Sequence, residues 1–147
     1  MAGLTSTTIR GQLRRNAVAL ISLFVAVSSL GYNTWRNESS EHNRNQRLVS
    51  IEILLKLGQL QEIVFHNHYD RDATLSGNPR TGWALVLTIE DLAQVLEAPL
   101  PESAELLAAT WTDHWDDLGR NQAGADAILL QIDTMRSATG ALLRELD

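Results

Sequence analysis

The sequence predicts an all-α protein: an N-terminal transmembrane helix extended into an antiparallel bundle of about four helical segments. Three observations carry this expectation. A run of nineteen uncharged, mostly apolar residues (17–35) lies near the N-terminus. Beyond it, apolar residues recur at intervals of three and four, as the buried face of a helix requires. Gly, Pro, Asn and Asp then gather in a few short clusters that punctuate those runs. No segment shows the two-residue period of a strand, and no internal repeat is present.

The chain of 147 residues is about one domain long, enough for a modest core. It has no cysteine, which excludes disulfides, thiolate metal sites and thiol nucleophiles. Charge is split along the chain. Residues 1–15 carry Arg10, Arg14 and Arg15 and no acid, whereas residues 36–147 carry all eighteen acids against nine basic side chains. An acidic globule of this kind is a poor binder of nucleic acid, whose phosphates call for Lys and Arg.

The apolar run comes first in chain order. At about 1.5 Å per residue it spans roughly 28 Å, enough to cross a hydrocarbon core of about 30 Å. Tyr32 and Trp35 stand where interfacial aromatics are expected, with Arg14, Arg15 and Arg36 as flanking anchors. The competing reading is a cleaved signal peptide, with Ala26-Val-Ser28 as the small-residue cleavage site. The length of the run, and the helical, aromatic text that continues past Ser28, favour a retained anchor. Basic residues are balanced across the two flanks, but the N-terminal flank has no acid while Glu38 and Glu41 accompany the arginines beyond the span. That favours a cytoplasmic N-terminus. The expected organisation is a basic cytoplasmic tail (1–15), a transmembrane helix (16–35) and a helical domain (36–147) outside the membrane, which in a Gram-negative cell would be the periplasm.

The helix is expected to continue through a polar stretch into residues 48–65. There Val49, Ile53, Leu57, Leu60 and Val64 form a core face that Leu48, Ile51 and Leu55 widen. Residues 66–81 are rich in turn formers, so the chain reverses there. A second helix is expected from about Thr81, as N-cap, to Leu96, with an apolar face of Leu85 or Val86, Ile89, Leu92 or Ala93, and Leu96. Pro99 and Pro101 separate it from a third, which has Glu102 and Glu105 near its positive end, Leu107, Trp111, His114 or Trp115, and Leu118 on its apolar side, and a stop near Gly119. The fourth, about 122–145, has the cleanest register: Ile128, Ile132, Met135, Thr139, Leu142 and Leu146.

Three constellations invite functional readings. His66-Asn-His68-Tyr-Asp70-Arg-Asp72 has metal-ligating residue types, but at every second position, which on a helix places them on different faces. A solvated helix end explains them better, and neither a metal nor a cofactor is expected. Trp111, His114 and Trp115 offer either a ligand-binding face or, more simply, packing between helices. Tyr32, Asn33, Trp35, Arg36, Asn37 and Glu38 form a collar that reads as membrane-interface anchoring and as a docking surface for a partner. Nothing resembles a catalytic nucleophile or a phosphate loop.

The text Tyr32-Asn-Thr-Trp-Arg-Asn-Glu-x-x-Glu41-x-Asn-Arg44, with Ile53-Leu-Leu-x-Leu-x-x-Leu-Gln61, resembles a group of small uncharacterised single-pass inner-membrane proteins of proteobacteria. Gly77-Asn-Pro, Gly82-Trp83 and Ile89-x-Asp91-Leu92 fit the same group. The resemblance implies a bacterial inner-membrane location and supplies no activity. The expected function is therefore a non-enzymatic membrane-anchored interaction protein, an accessory or assembly subunit or a scaffold. Its expected partners are the lipid bilayer and another membrane protein or a second copy of itself. The alternative is a periplasmic bundle that senses a small ligand and acts through a partner.

Overall fold

A computed structural model describes residues 9–74 and 76–146, and the side chains of all of these save 9–15 and 39. Residues 1–8 of the expected basic tail, and the side chains of Arg10, Arg14 and Arg15, lie outside what is described. The protein is all-helical, with α1 over Ile9–His68, α2 over Pro79–Ala93, α3 over Leu100–His114 and α4 over Gln122–Glu145. Two compact units divide between His42 and Asn43. The bundle thus begins at residue 43, beyond the expected boundary at 36, because the side chains just before it are polar and bury nothing.

In the first unit, α1 is an isolated helix with every described side chain exposed. Among the described residues, α1 alone is long and apolar enough to cross a membrane, and none of its apolar stretch is buried. Val18, Leu20, Leu23, Phe24, Val27 and Leu30 all present more than half their surface.

In the second unit the four helices pack around one core. From α1 come Ile53, Leu57, Leu60 and Val64, from α2 Val86, Ile89 and Ala93, from α3 Leu100, Ala104, Leu107 and Trp111, and from α4 Ala125, Ile128, Ile132 and Met135. Each fully buried Leu or Ile contributes about 1.5–3 kcal/mol of transfer free energy. Helix α1 runs antiparallel to α4, and three polar ties fix their register. Arg47 donates to the Leu146 carbonyl (2.9 Å) near one end, Arg136 donates to Gln61 Oε1 (2.5 Å) in the middle, and His68 Nε2 meets Gln122 Oε1 (2.8 Å) at the other.

Two details depart from the sequence-based expectation. Leu48, Ile51 and Leu55 do not widen the core face of α1. They point outward, 57%, 48% and 58% exposed, because the bundle takes the opposite stripe through Ser50, Ile53, Leu57, Leu60 and Val64. The N-cap of α2 is Asn78 rather than Thr81. Its side-chain oxygen accepts from the Arg80 N–H (3.0 Å), with Pro79 in the first turn, where its missing N–H costs nothing.

Helices α2 and α3 pack on each other, and Gly82 is what allows their close approach. A Cβ built there would overlap the Trp111 ring and lie 3.2 Å from Cε2 even at the third-nearest atom. Trp111 is completely buried and has nowhere to move. Gly82→Ala is therefore expected to destabilise the bundle by about 1–3 kcal/mol, the usual cost of overpacking. Chemical unfolding followed by tryptophan fluorescence checks this, and an unchanged midpoint would show that α2 slides freely over the indole.

Candidate functional site

The collar is a regular stretch of α1. Tyr32, Asn33, Trp35, Arg36, Asn37 and Glu38 are all exposed. Tyr32 and Trp35, one turn apart, bring their rings to 6.2 Å at 47° and form an aromatic side. Asn33, Arg36 and Asn37 share the adjoining side by their three- and four-residue spacing. Thr34 spends its hydroxyl within the helix, donating to the Leu30 carbonyl (3.0 Å). The chemistry on offer is a pair of amphipathic rings beside a guanidinium and two amides. That combination suits a membrane interface, and equally a polar partner surface next to one.

The tryptophan face is packing surface. Trp111 lies at the centre of the core, and its buried indole Nε1 has no hydrogen-bond partner among the described residues. Trp115 is half-buried and meets Trp83 edge-on, with ring centroids at 6.2 Å. Half-buried His114 lies against α4 at Gly124, where an added Cβ would come within 3.0 Å of the imidazole. These three residues pack α2, α3 and α4 against one another.

The histidine–aspartate stretch is pulled apart by the end of α1. His66 Nδ1 pairs with Asp70 Oδ2 at 2.8 Å on the surface. His68 turns the other way, Nδ1 to the Leu118 carbonyl (2.7 Å) and Nε2 to Gln122. Asp72 accepts from the hydroxyl and from the backbone N–H of Thr74, and these bonds hold its carboxyl below the ordinary value of 3.8, with His66 adding a smaller attraction. Among the described residues no three ligating side chains converge on a point. Beside His66 the surface dips into an open groove of about 340 Å³, lined by Gln59, Glu62, Ile63, His66, Ser76, Thr81 and Leu85.

Between the two histidines lies a residue that sequence reasoning passed over. Asn67 is buried, and its side-chain N–H donates to the Gly77 carbonyl at 2.7 Å. Gly77 sits so close that a Cβ there would collide with the Asp72 carbonyl and come within 2.7 Å of the Asn67 backbone nitrogen. On the other side, Gly119 packs where a Cβ would be 3.0 Å from Asn67 Oδ1. Asn67 thus ties the end of α1 to both neighbouring turns. Gly77, ahead of Asn-Pro, was the one available signal. Asn67 itself carried none, because an Asn between two histidines at a helix end looks like solvent-facing text.

Comparison with known proteins finds no matching family model, no matching curated protein and no matching solved structure.

Removing the Asn67 amide leaves the Gly77 carbonyl without its partner. Asn67→Ala is expected to cost about 1–3 kcal/mol, the usual penalty for a buried polar group deprived of its bond. It should also speed amide exchange selectively in residues 69–78. Uniform exchange across the bundle would show that Asn67 supports the whole core rather than the turn.

Proposed function

We propose that this chain is a non-enzymatic, membrane-anchored interaction protein: an accessory or assembly subunit, or a scaffold, of a membrane complex. In this reading it is a single-pass protein of the bacterial inner membrane, with its N-terminus cytoplasmic and its bundle periplasmic. One observation carries the proposal. The apolar side chains of residues 18–30 are all exposed, while the bundle completes its core without them. Water is a poor solvent for so much apolar surface, at about 25 cal/mol per Å², and lipid is the natural cover. The acid-free N-terminal flank and the resemblance to single-pass proteobacterial proteins support the orientation and the location. The aromatic and polar sides of the collar support docking at the interface.

The test uses native membranes and the full chain with a C-terminal tag. The protein is expected to stay with the membrane through an alkaline wash, and its bundle to be digested by protease added to spheroplasts. In mild detergent it should co-elute with a discrete membrane partner, and Trp35→Ala or Arg36→Ala should reduce the recovered partner several-fold. Release by the wash would sink the anchor, and a lone monomer would sink the interaction role.

A second reading, a ligand-sensing bundle acting through a partner, is favoured by the groove beside His66. Its volume of about 340 Å³ matches the lower end of small-ligand sites, roughly 300–1,000 Å³. On this reading a polar metabolite at a hundredfold excess over its Kd would stabilise the fold by about 2.7 kcal/mol. Thermal melting of the detergent-solubilised chain against a metabolite panel detects that as a raised Tm. Silence across the panel would end this reading.

A further inference from the structure

The groove beside His66 is chemically one-sided. Glu62 supplies it with a carboxylate, and neither Lys nor Arg lines it. His66 stands one turn further along α1. Its Nδ1 is the donor in the 2.8 Å contact with Asp70, because a carboxylate only accepts, so in the neutral ring Nε2 is left as an acceptor. Ser76 and Thr81 add hydroxyls, one from the turn and one from the start of α2. Among the described residues the side chains of Glu62, Ser76 and Thr81 are engaged in no hydrogen bond or ion pair. The rest of the lining includes two aliphatic side chains, Ile63, which is buried, and Leu85, which is half-buried.

We infer that this groove binds a small aliphatic amine as its ammonium ion. The inference rests on the ligand-sensing reading and gives that reading a chemical class. An alkylammonium group has three donors and no acceptor, which matches a carboxylate, an imidazole nitrogen and two hydroxyl oxygens. Its hydrocarbon tail matches Ile63 and Leu85, and a volume of about 340 Å³ has room for several carbons. Asp70 beside His66, and Asp72 near enough to attract it, add negative potential at the same end of α1. An anion finds no such match. Its natural seat here is the start of α2, where the N–H groups are already used. Arg80 donates to Asn78 Oδ1 at 3.0 Å, and Thr81 and Gly82 donate to the Asn78 carbonyl at 3.0 and 3.4 Å. The Arg80 side chain is exposed and is not part of the lining. A metal ion is a poorer occupant than an ammonium, because among the described residues no three His, Asp or Glu side chains are grouped to hold one.

The test titrates the detergent-solubilised full chain by calorimetry with n-butylammonium chloride, sodium butyrate and 1-butanol at one ionic strength. Saturable binding is expected for the ammonium salt alone. Glu62→Gln keeps the size of an exposed side chain and removes its charge. It is expected to weaken that binding about tenfold or more, as loss of a charge-assisted bond does, with helical circular dichroism unchanged. Glu105→Gln, at an exposed acid on α3, is the control and should leave the affinity as it was. Equal binding of butylammonium and butyrate would overturn the inference, as would equal weakening by the two substitutions. Absence of butylammonium binding would do the same, and the metabolite panel then separates this inference from the reading beneath it. A Tm raised by a neutral or anionic metabolite removes the amine and leaves ligand sensing, whereas silence toward both removes both.

Discussion

The stripe of α1 formed by Ile53, Leu57, Leu60 and Val64 has only the other three helices to bury against, and they have no closed core without it. Between them, α2, α3 and α4 supply Val86, Ile89, Leu107, Trp111, Ile128, Ile132 and Met135. Remove the second part of α1 and those side chains face water along one whole side. The antiparallel pairing of α1 with α4 is therefore the constraint on which the fold depends. Its three polar ties do little for stability as exposed or half-exposed contacts. They matter as register marks, because an apolar seam alone tolerates sliding by a turn. The cost is a polar layer near the start of the bundle. Ser50 Oγ is buried there with no partner among the described residues, and Thr139 turns its hydroxyl back on the Met135 carbonyl.

Much of this was legible from residue spacing. The four helices, the bounds of α4 and the burial of Ile128, Ile132, Met135 and Thr139 all follow from a three-and-four period read along the chain, since a long periodic segment has one way to hide its apolar side. The outward turn of Leu48, Ile51 and Leu55 was not legible. A helix with apolar residues over much of its circumference does not say which part meets its own bundle, and that choice is made by three partner helices distant in sequence. The α2 cap was misread for a related reason. Thr81 and Asn78 are both good N-caps, and Pro79 tips the balance by its fixed φ at the first helical position.

The candidate sites divide along the same line. The collar could be nominated from sequence because an interfacial reading rests on residue type, and type is what a sequence records. Asn67 and the Gly82–Trp111 contact were not, because they depend on which backbone lies within a few ångströms of which side chain. The Trp111, Trp115 and His114 group shows the difference. Its composition fits a pocket or a packing joint equally well, and its contacts with Gly82, Trp83 and Gly124 depend on positions that composition does not record.

Helix α1 consequently serves two masters on opposite sides. One stripe completes a core, so it cannot also be offered to a partner without unfolding the bundle. In the bundle, the other side carries Leu48, Ile51 and Leu55, all exposed. An exposed Leu on a surface is ordinary. Leu48, Ile51 and Leu55 share one face of the helix. Lipid explains the upstream set of Leu20, Leu23, Val27 and Leu30 by itself, since every direction is apolar there and no register is needed.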